Sequence, residues 1–129
     1  MPELLCHAII FAKDPERLAG FYERALSLVR GQSHDGYREL EAEGRTQLGL
    51  HALPAHVAAS IEITIPPGWR GDTAVKLCWS TPDLDATRAR FIDAGGLAKD
   101  PWTMDGQRRC DCADLEGNVV QLVETATSQ

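Results

Sequence analysis

An α+β fold of two βαβββ modules, expected to form a curved mixed sheet with a shared cleft, follows from three observations on this 129-residue chain. The chain says nearly the same thing twice. CHAIIFAKDPERLAGFYERAL begins at Cys6 and VKLCWSTPDLDATRARFIDAG at Val75, a spacing of 69 residues. Asp14 then aligns with Asp83, Leu18 with Thr87, Tyr22 with Phe91 and Ala25 with Ala94. A unit that recurs only twice points to paired halves around a common site rather than to a solenoid. Each copy is also an apolar run, an Asp-headed helix start and an amphipathic helix, so strand period gives way to helix period in the same order. Finally, 43% hydrophobic and 25% charged residues suit one globular domain, residues 1–129, with one real core.

Taken in order, residues 4–12 read as a strand. Asp14 caps a helix whose first position is Pro15, where a missing N–H costs nothing. Leu18, Tyr22 and Ala25 share one face of that helix, which runs to Leu26. Strands are expected at 28–30, 37–41 and 46–52, with Glu43-Gly44 turning between the last two. The second half repeats the order with a strand at 74–80, a helix at 83–94 stopped by Gly95-Gly96, and strands at 102–104, 107–113 and 119–124. Asp105-Gly106 and Glu116-Gly117-Asn118 are its turns. The modules therefore span 4–52 and 74–125. Residues 53–73 have no counterpart in either copy and form an elaborated linker, with a short helix from Pro54 through Ser60 and an alternating strand at 61–65 stopped by Pro66-Pro67-Gly68. That strand is open to two roles, an extra edge or a contact with a partner subunit.

Charge and composition exclude several classes. A formal charge of -6 without a Lys/Arg-rich run argues against nucleic acid, because phosphate backbones are held by clustered basic groups. No apolar stretch has the length of a membrane span, and MPELLCHAII lacks the basic region and cleavage pattern of a signal peptide, so a cytoplasmic location without membrane contact is expected. Cys6, Cys78, Cys110 and Cys112 show no CxxC pairing, and buried free thiols are expected. Cys110 and Cys112, two apart in an alternating segment, fall on one strand face.

The doubled βαβββ order, Phe21-Tyr22 in the first Asp-headed helix, TPDLDATRARFIDAGG and above all DLEGNVVQLVE resemble the vicinal oxygen chelate superfamily. That group includes glyoxalase I, extradiol dioxygenases, fosfomycin-resistance thiol transferases and bleomycin-resistance proteins. The resemblance covers the chain apart from the linker. It implies the fold closely and the activity poorly, since the scaffold hosts several chemistries and also non-enzymatic binders.

Metal-using members place ligands on the first and last strands of each half. The resemblance puts those positions on His7, Lys76, Gly49 and Gln121, of which His7 alone keeps a strong ligand. No cofactor is expected, because Gly49 has no side chain and the Lys76 ammonium would take the cation's electrostatic role. A divalent metal survives only on a rearranged set. His51 shares a strand face with Gly49, Asp111 is expected to face the cleft beside Arg109, and His7, His51, Asp111 and Gln121 would then hold a displaced ion. Bland readings stand beside these. His51 ends its strand in solvent or in a structural hydrogen bond, and Lys76 pairs with Asp111 across the sheet. Cys78 shares the face of Lys76, whose charge would favour its thiolate, yet without a neighbouring histidine it reads as a packing residue.

Phe11 faces the cleft by parity with His7, Trp102 sits near its mouth, and Tyr37 could add a wall. Trp69 lies in the linker, Trp79 packs under a helix, and Glu124 points away as a solvated strand-end charge. The functional expectation is a homodimeric small-molecule binding protein of the bleomycin-resistance type, independent of metal. The alternative is an enzyme of the same superfamily, a lyase, isomerase or dioxygenase. It is either metal-assisted or one in which Lys76 stabilises an enolate-like oxyanion. A third is an interaction module with a vestigial cleft.

Overall fold

The computed structural model describes residues 1–125 and divides them into two compact units. Unit 1 comprises 1–23 and 27–62, and unit 2 comprises 24–26 and 63 onward. Each holds one mixed sheet, as the α+β expectation requires.

In unit 1 the order is β1 (Ala8–Ala12), α1 (Pro15–Leu26), β2 (Val29–His34), β3 (Tyr37–Ala42), β4 (Arg45–Ala52) and a short α2 (Ala55–Ala58). The last turn of α1 clusters with unit 2. Asp14 starts α1 as expected, its carboxylate accepting from the Arg17 N–H at 3.1 Å. The sheet runs β1-β4-β3-β2, with β1 and β4 parallel and the other pairs antiparallel. Ala12, Leu40, Leu48 and Leu50 from the sheet and Leu18, Ala19, Phe21 and Tyr22 from α1 are fully buried and make the core. Phe21 meets Tyr22 edge to face, ring centroids 5.2 Å apart. Ion pairs tie the helix to this face of the sheet: Glu16 holds Arg30 of β2 at 2.7 Å and Arg38 of β3 at 2.9 Å.

Unit 2 repeats the pattern with β5 (Leu77–Thr81), α3 (Leu84–Asp93), β6 (Leu97–Ala98), β7 (Trp102–Met104), β8 (Gln107–Ala113) and β9 (Val119–Glu124). Its edge strand is broken in two, β6 and β7 both pairing with β8. The break is local. The Lys99 N–H still reaches the Asp111 carbonyl at 2.9 Å, but Pro101 has no N–H to give and one residue is extruded before Trp102 pairs Arg109. Unit 1 carries a bulge at the equivalent place, between Arg30 and Ser33. Leu84, Thr87 and Phe91 form the buried stripe of α3, which packs on β6, β8 and β9. Asp114 anchors the β8–β9 turn, its buried carboxylate accepting from the Glu116 and Asn118 N–H groups at 2.9 and 3.0 Å. Linker residue Arg70 bridges to Asn118 beside that turn, and Lys99 Nζ lies 4.9 Å from the Trp69 ring centroid.

Several expectations need correction. Residues 61–65 form no strand despite their alternation: among the described residues no segment pairs with them, and the Ile61 carbonyl is taken by the Lys13 ammonium. The linker helix is a single turn. The second-half strand starts at Leu77 rather than residue 74, and β6 was not foreseen because two residues carry no readable period. Cys110 and Cys112 are buried on one face with sulfurs 3.8 Å apart, but Cys6 and Cys78 are exposed. Glu124 is not a solvated charge. Its Oε2 accepts the Leu84 N–H at 2.9 Å, holding an otherwise unpaired donor at the start of α3.

Candidate functional site

Each sheet has one face turned to its helix and one open face, and strand alternation decides which side chains stand on the latter. In unit 1 the register sets Ile9 beside Gly49 and Phe11 beside His51, with Glu39 and Tyr37 across from them on β3. Ile9 and Phe11 are 49% and 59% exposed, so the face is apolar along β1. One register line is a row of rings: Phe11 to His51 at 5.5 Å, His51 to Tyr37 at 6.0 Å, and Tyr37 stacked on His34 at 6.2 Å.

The Tyr37 ring folds over Gly49. A Cβ at position 49 would lie 2.6 Å from the Tyr37 hydroxyl, which donates to Glu39 Oε2 at 2.9 Å. Gly49 is therefore the seat of Tyr37, and burial followed by the Glu39 carboxylate raises the phenol pKa above its ordinary value. His51 is exposed, with Nδ1 2.8 Å from the Ala52 carbonyl oxygen, a local hydrogen bond that leaves the other ring nitrogen, Nε2, out of that contact.

In unit 2 the line equivalent to Ile9–Gly49–Glu39 is Cys78–Gln121–Asp111, and Lys76 precedes β5 by one residue as His7 precedes β1. His7 and Lys76 thus hold equivalent positions, as do Gly49 and Gln121. Here the open face carries a continuous polar chain. Lys76 Nζ is 3.3 Å from Asp111 Oδ1, the cross-sheet ion pair the sequence suggested. Gln121 Nε2 donates to the same Oδ1 at 3.2 Å, and its Oε1 accepts from Arg109 Nη1 at 2.8 Å. Arg109 Nη2 reaches Gln107 Oε1 at 2.7 Å. Trp102 stands beside Arg109 on β7, 37% exposed.

The structure thus gathers Lys76, Cys78, Asp111, Gln121, Arg109 and Trp102 on one open face, and Phe11 and His51 on the other, with His7 just before β1. Among the described residues no group of three or more His, Cys, Asp or Glu side chains is gathered as a metal would need. Two site residues escaped sequence reasoning. Glu39 is the unit 1 counterpart of Asp111, and Gln107 is the second acceptor of Arg109. Their parity with Tyr37 and Arg109 was the available signal.

Two mixed sheets, each backed by a helix and presenting an open face with polar groups, define the vicinal oxygen chelate class of fold. The chain belongs to the glyoxalase-like domain family, whose model matches residues 6–123. A glyoxalase/bleomycin resistance protein/dioxygenase family enzyme from Burkholderia phytofirmans PsJN superposes with a TM-score of 0.72 at 19% identity, over 92% of this chain and 96% of that one. The fosfomycin resistance protein FosX from Mesorhizobium loti does so with a TM-score of 0.70 at 12% identity, over 98% and 95%. FosX from Listeria monocytogenes, solved as a mutant with Mn(II) and 1S,2S-dihydroxypropylphosphonic acid, gives 0.70 at 12% identity over 95% and 90%. At such identities the likeness concerns fold alone. No curated protein matches the chain. No helix among the described residues is long and apolar enough to cross a membrane.

Proposed function

We propose that this chain is a small-molecule binding protein of the glyoxalase/bleomycin-resistance type that works without a resident divalent metal. The observation that carries this reading is the commitment of Gln121, whose amide oxygen serves Arg109 and whose amide nitrogen serves Asp111. At the four positions where relatives place ligands, this chain offers one imidazole (His7), one engaged amide (Gln121), one ammonium (Lys76) and a glycine covered by a tyrosine (Gly49). That set neither neutralises a divalent ion nor completes its shell, and Lys76 and Arg109 repel it.

The test is elemental analysis of untreated protein grown with zinc, nickel, manganese and iron. The expected content is far below one ion per chain. A content near one, lost in His51→Ala or Asp111→Ala, overturns the metal-free reading and promotes a metal-assisted enzyme on the rearranged set. A second reading makes Lys76 an oxyanion-stabilising group in a metal-free lyase or isomerase. It is favoured by the 43% exposure of the Lys76 side chain, which leaves its ammonium open to a ligand beside Asp111. Turnover abolished by Lys76→Met with ligand binding retained would select it.

A further inference from the structure

We infer that Arg109 is an oxyanion receptor, and that the open face of unit 2 takes an organic acid, a carboxylate or phosphonate, on a flat apolar body. The inference rests on the small-molecule reading above and names the ligand class for it. The cations of this sheet differ in how their charge is answered. Arg108 lies 2.9 Å from Asp85 and 3.6 Å from Glu124, and Lys76 lies 3.3 Å from Asp111. Arg109 makes no ion pair among the described residues and is met by two neutral amide oxygens. Its Nε is buried, with no hydrogen-bond partner among the described residues.

Amide oxygens position a guanidinium without cancelling its charge. A half-buried cation without a counter-charge keeps its attraction for an anion, and a charge-assisted pair with an oxyanion is the strong way to answer it. The surrounding network prevents the protein from supplying that anion itself. Asp111, the nearest acid in the chain of contacts, is held by Lys76. Gln121 stands between it and Arg109 with its orientation set: Nε2 faces the acid, so Oε1 must face the guanidinium. One N–H on each terminal nitrogen of Arg109 is spent on a glutamine, leaving one on each for a ligand. The register adds the apolar part, since Trp102 and Val123 flank Arg109 on β7 and β9. A planar apolar group beside an acid fits this pair of neighbours.

The test is NMR titration of the full chain with phenylphosphonate, benzoate and the neutral benzamide, together with a collection of neutral and cationic fragments. The acids are expected to shift Gln107, Arg109 and Gln121 resonances while benzamide does not. In Arg109→Gln the acids should bind at least about tenfold more weakly, the scale of one charged hydrogen bond. Arg109→Lys should recover part of this, and Arg45→Gln, at an exposed residue that opens β4 in unit 1, should leave it unchanged. The comparison of acid with amide on the wild type needs no variant, so misfolding of Arg109→Gln would not blunt it. Equal binding of benzamide, or binding of neutral and cationic fragments alone, overturns the oxyanion assignment and leaves the small-molecule reading standing. Absence of any binder on this face overturns both.

Discussion

The hydroxyl of Tyr37 sits 2.6 Å from where a side chain at position 49 would begin, so the glycine there and the tyrosine across from it are one feature. An added methyl must push the ring away and break its hydrogen bond to Glu39. Gly49→Ala is therefore expected to cost about 1–3 kcal/mol, the range for forcing a group into a packed position. Tyr37→Ala should remove most of that penalty, so the two changes are not additive. Urea denaturation of the four proteins of this cycle measures it, and additive costs would show that Tyr37 does not occupy the space. The same contact alters how position 49 is read. In sequence it is a missing metal ligand; in the fold it is a platform for an aromatic ring, and a Gly49→Glu change would first have to displace Tyr37.

At the scale of elements, Glu16 in the first turn of α1 receives guanidinium hydrogen bonds from Arg30 on β2 and Arg38 on β3. These hydrogen bonds, with Arg30 first, lower its pKa from the ordinary 4.5 to about 2. A depressed carboxylate stabilises the fold fully above its unfolded value and loses that contribution as pH falls through the folded one. The contribution of Glu16 is thus present above 4.5 and fades down to about 2. Glu16→Gln should flatten stability over this window. The side chain is 61% exposed, so the effect is that of a surface network, about 1 kcal/mol or less and smaller in high salt. Chemical denaturation at pH 6 and pH 3 with and without added salt checks it, and an unchanged pH slope in the variant would refute it.

Elements whose signals are local were legible. Asp14 and Asp83 cap their helices as read, and Glu43-Gly44 and Asp105-Gly106 turn their hairpins with positive φ at both residues. The alternation at 61–65 misled because a strand needs a neighbour to pair with. Glu124 misled because its partner, the Leu84 N–H, is 40 residues away.

For the whole molecule, the chain leaves large apolar side chains in water: Leu4 at 78%, Leu5 at 81%, Ile65 at 83% and Val75 at 70% exposure. Among the described residues each sheet also ends in edge strands with one side open, β1 and β2 in unit 1 and β5 in unit 2. Apolar exposure and free edges together favour self-association. The expected species at micromolar concentration is a homodimer, twice the 14.1 kDa chain mass by light scattering. Monomer alone across that range would refute it.

The doubling, the helix caps, the hairpin turns and the inward or outward parity of strand residues were determined by the sequence alone. Each depends on groups within a few positions of one another, where φ preference and periodicity act directly. Only the tertiary structure decided what stands across from what. Gln121 lies between Asp111 and Arg109, Glu39 takes the Tyr37 hydroxyl above Gly49, and Cys78 is exposed on the open face while Cys110 and Cys112 are buried. Those pairings are set by strand register between distant segments, and parity names the face a side chain takes without naming its neighbour.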